Sequence, residues 1–452
     1  MIARVQNSKL IYRIVLLITG FVFFFLLGED GPCIMRDSAV FMNPSEYLLG
    51  SYFLYPVFLF FCKAVFGEGA FLYAAFILQS ILAMFASIFI TEYFRKHFQL
   101  DYINSMLIYI VTFLPYGYSL PEDVVSHHIM TEAFAIPLFY VAFVFLLRFL
   151  LEKKNYYLFF AVVVGVLLFL TRSHMIGTLA VICAVGGIVL LYRLWQKYRE
   201  KMNIKPIAAG VIIAVIIGGF FAIKIVMNTN LSSQLLMATT GRVLCLMEYE
   251  DRELFDGELQ QIYDYLYQHA NEGGHVEQHF RKGVWRSVDI ANHTNENSKE
   301  WLNVIREYYE ITYPDKDFAE YGAQSYQDGE KIVKGLFQEH FIGYFLMSLQ
   351  LMTQSFVASV FIQPDSIRTL CYFITPFIYL AAIVTMIWAL KKEKISSRYL
   401  IPMVVTMIFL VSNVILTNIV FYGLQRYVIY TFGLFYLSFY LILIGIYRNR
   451  KG

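Results

Sequence analysis

Charge is what this sequence has least of. Only 15% of its 452 residues are Asp, Glu, Lys or Arg, against roughly 25% in a soluble domain. With 58% hydrophobic residues and a mean hydropathy of +0.56, the apolar surface exceeds what one globule can bury, and lipid is the natural solvent for the remainder. Charge of one sign is lacking too. The net charge is +2, which gives no strongly basic surface for a nucleic-acid partner. Cysteine is sparse: Cys33, Cys62, Cys183, Cys245 and Cys371 are scattered, mostly in apolar runs, without metal-ligand or redox spacing. A disulfide framework is therefore not expected. Strand-like alternation is rare, and internal repeats and low-complexity tracts are missing. No small-residue cleavage site follows Leu27, so the first apolar run is expected to be a retained helix rather than a cleaved signal peptide.

What is present is a succession of apolar runs. A spanning helix needs about 20 mostly apolar residues. Seven runs come first, over 10–28, 70–93, 102–118, 129–150, 156–171, 175–195 and 206–227, and three more lie at 368–390, 399–417 and 427–447. The expected fold is an all-α polytopic membrane protein of about ten transmembrane helices. It divides into an N-terminal membrane domain (1–227), a small, mainly helical insert (228–340) and a C-terminal part (341–452). Within the insert, 258–267 and 298–309 carry helical patterning. The abundant Phe and Tyr fit interfacial belts and large helix contacts.

Basic clusters orient the spans, because short cytoplasmic loops carry excess Lys and Arg. Arg4, Lys9 and Arg13 place the N-terminus in the cytoplasm. Arg95 and Lys96, Lys153 and Lys154, and the run from Arg193 to Lys205 mark successive inner loops. Lys391, Lys392 and Lys394 mark another, and Arg448, Arg450 and Lys451 place the C-terminus inside. These assignments agree only if 341–362, apolar but carrying Ser348, Gln350, Thr353, Gln354 and Ser355, does not cross. It is expected to lie at the outer interface or to re-enter, with the insert outside.

The other polar residues gather at the outer ends of the helices. The first outer loop (29–69) holds Glu29, Asp30, Arg36, Asp37 and Glu46; the second holds Glu122, Asp123, His127, His128 and Glu132; the third holds Arg172 and His174; the last holds Gln425 and Arg426. The inner loops are plain Lys/Arg anchors, so the asymmetry points to chemistry on the outer face. The bland readings stand beside this one. Glu29, Asp30 and Glu46 are ordinary solvated loop acids on that view, and His127 and His128 ordinary loop residues. Arg172 and Arg426 run against the positive-inside pattern and call for an acid partner or an anion. For Arg172 the acids within reach are Glu122, Asp123 and Glu132.

One stretch carries a resemblance. Arg36-Asp37-Ser38-Ala39-Val40-Phe41 is followed by Tyr55-Pro56-Val57-Phe58-Leu59, then Gly67, then Gln79-Ser80-Ile81-Leu82 in the second span. This resembles the bacterial members of the GT-C glycosyltransferase superfamily, the polytopic enzymes of the protein mannosyltransferase and aminoarabinose transferase type. Thr171-Arg172 and Gln425-Arg426-Tyr427 resemble further features of that family. The resemblance implies transfer of a sugar from a polyprenyl-phosphate donor to a glycan, lipid or protein acceptor on the outer face of a bacterial cytoplasmic membrane. It implies Asp37 as the base. Many members carry an acidic pair there, whereas Asp37 is followed by Ser38, so Asp30 and Glu29 are the alternative acids. Arg172 and Arg426 would hold the donor phosphate, since guanidinium binds phosphate oxygens bidentately. His174, His127, His128, Glu122, Asp123 and Tyr427 would line the substrate site. No cofactor motif stands out; a metal requirement is open, with a divalent cation the one candidate. The absence of a Gly-rich phosphate loop disfavours a cytosolic nucleotide-sugar donor. Two rival functions share the outer-face arginines or the lipid substrate: a polysaccharide polymerase of the O-antigen type, and a transporter or flippase of lipid-linked sugars. The latter would show mid-membrane acids or internal symmetry, and neither is evident.

Overall fold

The structure is a computed structural model that describes residues 9–26, 31–35, 38–42, 53–119, 124–199, 238–316, 318–361, 365–391, 395–420 and 425–451. Among these residues there are helices, short helical turns and one isolated parallel bridge, but no named strand. The helices are α1 (Lys9–Phe21), α2 (Ser38–Met42), α3 (Leu54–Phe66), α4 (Phe71–His97), α5 (Tyr102–Val111), α6 (Thr131–Glu152), α7 (Tyr156–Thr171) and α8 (Ile176–Arg199). After a helical stretch at 238–245 come α9 (Glu258–Glu272), α10 (Val284–Thr312), α11 (Phe318–Glu339), α12 (Phe341–Ala358), α13 (Arg368–Lys391), α14 (Ser397–Val420) and α15 (Phe432–Lys451). Eight described segments are long and apolar enough to cross a membrane by length and composition. The chain is a multi-pass, all-α membrane protein. Rows of large apolar side chains remain exposed, such as Leu370, Phe373, Phe377 and Leu380 on α13, and lipid is the solvent they suit.

One expectation about an individual segment needs revision. The run 102–118 is not one continuous spanning helix. Helix α5 has 10 residues, about 15 Å of rise against a hydrocarbon core of roughly 30 Å. Thr112 folds its hydroxyl onto the Tyr109 carbonyl at 2.6 Å, and Pro115 bars helix at the residue before it. The chain leaves α5 through turns, with the Thr112 carbonyl accepting from Tyr140 Oη at 2.9 Å. A different segment is 341–362, expected to lie at the outer interface or to re-enter. Its helix, α12, has 18 residues and is apolar enough to count among the eight candidate spans. Its polar residues do not by themselves exclude a crossing. The expected span at 206–227 lies outside the described residues, as do Lys392 and Lys394.

The chain forms two compact units: Met1–Met227 with Pro376–Asn413 and Val428–Gly452, and Asn228–Thr375 with Val414–Tyr427. In the first, α6 is the centre. Most of its residues from Thr131 to Phe149 are buried, and it packs on α4 and α7 and sets Phe139 against Phe409 and Tyr430. Gly433 allows α15 to come close: a Cβ there would stand 2.8 Å from both Tyr140 Oη and the Val111 carbonyl oxygen. At the far ends of α15 and α4, Arg448 donates to the carbonyls of Phe98 and Gln99, securing a turn in which Gln99 takes a φ of 52°.

The second unit holds the insert, and the expected helices at 258–267 and 298–309 fall inside α9 and α10. Ile262, Tyr263 and Leu266 of α9, Trp301, Val304 and Ile305 of α10 and Ile332, Val333 and Leu336 of α11 form its core, at the i, i+3, i+4 spacing of one helix face. This unit extends past residue 340 to include α12. Arg242, fully buried, donates to Ser348 Oγ of α12 at 3.1 Å.

Candidate functional site

The site grows from two helix ends in the first unit. Helix α7 stops at Thr171, and Arg172 is extended at φ −148°, ψ 122°. A single helical turn, Ser173–Met175, leads into α8. Helix α6 begins at Thr131, so Glu132 lies in its first turn, where the positive end of the helix dipole favours an acid. Arg172 Nη1 forms an ion pair with Glu132, and both side chains are 6% exposed. Arg172 Nε donates to His174 Nδ1 at 3.3 Å, which places the proton of a neutral His174 on Nε2. Thr131 Oγ1 donates to Glu132 Oε2 at 3.2 Å, and the His174 ring lies 5.7 Å from that of Tyr430. Arginine, carboxylate and imidazole thus converge in a buried cluster. Of the three acids in reach by sequence, Glu132 is ion-paired with Arg172, while Glu122 and Asp123 lie outside the described residues.

A second assembly in the same unit surrounds Gln79 of α4. Its amide nitrogen Nε2 donates to the carbonyls of Ser126 at 2.7 Å and His128 at 2.8 Å. Its Oε1 accepts from Tyr55 Oη of α3 at 3.3 Å. The same loop pairs with the first one. Cys33 N–H donates to the His127 carbonyl at 3.0 Å, and Ile129 N–H donates to the Cys33 carbonyl at 2.9 Å. His127 Nε2 lies 2.6 Å from the Phe24 carbonyl. A carbonyl only accepts, so Nε2 carries the proton. Phe24 sits in the wide turn Val22–Leu26 at the end of α1, a helix defect often found at functional sites. His128 is buried as well. The two histidines are thus packed into the loop that Gln79 holds.

Asp37, Asp30, Glu29, Glu122 and Asp123 lie outside the described residues. Arg426 and Tyr427 belong to the second unit, in the turn Gln425–Tyr427, with the guanidinium carbon 5.5 Å from the Tyr427 ring centre. The structure therefore gathers Arg172, His174, His127 and His128 with Glu132 and Gln79 in one unit. A cleft of about 310 Å³ lies toward the other ends of α4 and α6, lined in part by Glu92, Lys96, His97 and Glu152. Its acids are engaged locally, Glu92 by Arg95 and Glu152 by Arg148, so it offers less unusual chemistry than the Arg172 cluster.

Sequence reasoning passed over two features. Buried Arg242 looked like part of a polar insert, and no short-range pattern marked its pairing with Ser348, 106 positions away. His275, His293 and Glu296 also escaped notice; their acceptor atoms meet within the insert. No family model, no curated protein and no solved structure matches this chain.

Proposed function

We propose that this chain is a membrane glycosyltransferase that moves a sugar from a polyprenyl-phosphate donor to a glycan, lipid or protein acceptor at the outer face of a bacterial cytoplasmic membrane. Both termini are cytoplasmic and the insert is extracytoplasmic in this reading, as the basic clusters indicate. The observation that carries it is the Gln79 assembly. Tyr55 and Gln79, two of the residues on which the family resemblance rests, are hydrogen-bonded together and to the His127–His128 loop. Cys33, four positions before Asp37, is bonded to the same loop. A buried charged cluster in a membrane protein adds support, since such groups are costly and are retained for function by default.

In the proposed reaction the Asp37 carboxylate accepts the proton of the acceptor hydroxyl. The hydroxyl oxygen bonds to the anomeric carbon as the bond from that carbon to the phosphate oxygen breaks. The electron pair leaves with the polyprenyl phosphate, whose charge Arg172 stabilises. A guanidinium has five donors, so pairing with Glu132 and binding phosphate are compatible roles for Arg172. The test is to supply the purified protein in nanodiscs with polyprenyl-phosphate sugars and to measure release of free polyprenyl phosphate. Release with transfer of a single sugar supports the reading. Lengthening of lipid-linked oligosaccharide chains would favour the polymerase. Movement of intact lipid-linked sugar across the bilayer without cleavage would favour the flippase.

A further inference from the structure

The insert contains a convergence of ligand atoms that the proposed reaction does not use. Helix α9 ends in a glycine-dependent turn. Gly274 adopts a φ of +71°, a left-handed conformation that glycine takes without steric cost. Gly274 N–H donates to the Asn271 carbonyl at 3.1 Å and His275 N–H to the Ala270 carbonyl at 2.8 Å. This paired 5→2 and 6→1 pattern is a Schellman cap, and it fixes the backbone of His275 just past the helix end. Asn297 Nδ2 holds the His275 carbonyl from α10 at 3.2 Å. Helix α10 also supplies His293 and Glu296, one turn apart and so on one face. The His293 ring is stacked on Phe280, with centroids 5.0 Å apart and planes 12° from parallel.

The three side chains meet at their ligand atoms. His275 Nδ1 lies 2.8 Å from His293 Nδ1. Glu296 Oε2 lies 3.3 Å from His275 Nδ1 and 3.2 Å from His293 Nδ1. Around a tetrahedral zinc ion with bonds of about 2.0–2.1 Å, donor atoms stand roughly 3.3 Å apart. Two of the three edges already have that length, and the third needs to open by about half an ångström. Two imidazoles with a carboxylate suit zinc and its neighbours, not Ca²⁺ or Mg²⁺, which prefer an all-oxygen shell.

We propose that His275, His293 and Glu296 form a binding site for a zinc-class divalent transition-metal ion in the insert, with three protein ligands and a fourth position open to solvent. Glu296 is the most exposed of the three, at 46% of its side chain, which puts the open position on the solvent side. The competing reading is an N–H···N hydrogen bond between the two rings beside a solvated glutamate, with no metal.

The experiment uses the full chain in detergent, stripped with chelator, dialysed and titrated with Zn²⁺ alone. Bound metal is counted by elemental analysis and the coordination geometry is read from the visible absorption of the Co²⁺ form. One Zn²⁺ per chain is expected, with affinity falling at least about tenfold in Glu296→Gln and further in His275→Ala and His293→Ala. Added Zn²⁺ should raise the melting temperature of the wild type and not of the histidine variants. Negligible Zn²⁺ binding by the wild type would overturn the proposal, and so would equal affinity in the variants. If a histidine variant fails to fold, Glu296→Gln decides: its metal-free melting temperature should match the wild type while its Zn²⁺ affinity drops, and unchanged affinity would end the proposal.

Discussion

Arg172 and Glu132 provide a direct test of the buried cluster. Both side chains are 6% exposed and ion-paired, so solvent screens them little. Removing one partner of a buried pair leaves the other charge uncompensated, which costs about 3–5 kcal/mol. Two features of the fold soften this loss. Glu132 sits in the first turn of α6, and Arg172 caps the end of α7, so each helix dipole favours the charge left behind by about 0.3–1 kcal/mol. Arg172→Met and Glu132→Leu should therefore each cost roughly 3 kcal/mol, the low end of that range. In a chain of this size that is a fall of a few degrees, about 3–6 °C, in apparent melting temperature in detergent. Replacing both with apolar residues of similar volume, Arg172→Met with Glu132→Leu, should restore most of the loss, because neither charge is then stranded. The assay is a double-mutant cycle read by thermal unfolding, and the coupling should exceed about 1 kcal/mol. Single variants that melt with the wild type, or a double variant whose loss is the sum of the singles, would refute the reasoning. The stable double variant also separates roles. It should turn over the donor at least about tenfold more slowly if Arg172 also binds phosphate.

Three further outcomes follow from particular contacts. Gln79→Leu strands the carbonyls of Ser126 and His128 and the Tyr55 hydroxyl, at about 1–3 kcal/mol for each buried group left unpaired; hydrogen exchange should speed up over 124–130, and unchanged protection would count against the clamp. His340 contacts Asp251 Oδ2 at 2.8 Å, and this hydrogen bond, with the nearby charge, raises its pKa above the ordinary imidazole value. Its stabilising contribution is then complete below about pH 6.5 and lost as pH rises through the folded value, so the melting-temperature difference between wild type and His340→Asn should shrink from about pH 6.5 upward. Lys299 is exposed on α10, so Lys299→Cys in intact cells should react with an impermeant thiol reagent, whereas protection would place the insert inside.

Much of the fold was legible in the sequence because membrane thickness dictates apolar length. The runs at 70–93, 129–150 and 156–171 became α4, α6 and α7 with shifts of a few residues or none. The run at 102–118 misled because mean hydropathy does not register Pro115 or the Thr112 hydroxyl folding back onto Tyr109. At the site, the unusual character of Arg172 was visible in its charge and position. The sequence left three acids in reach of it, and the start of α6 sets Glu132 beside it. Gln79 was legible as a motif residue, but its work on the loop carbonyls was not, because backbone acceptors leave no mark in a sequence. The His275, His293 and Glu296 group was illegible for a different reason. Its two histidines are 18 positions apart, and they meet only because a glycine turn reverses the chain between α9 and α10.

Sugar transfer driven by a carboxylate in the first outer loop is the step on which the proposed function rests. The measurement that tests it most directly compares wild type and Asp37→Asn for release of polyprenyl phosphate from a polyprenyl-phosphate sugar, with membrane insertion and melting temperature checked in parallel. Asp37→Asn is expected to be folded, inserted and inactive. A folded Asp37→Asn protein with near-full turnover would contradict it, and if Asp30→Asn or Glu29→Gln were then the inactive variant, the base would belong to that acid instead.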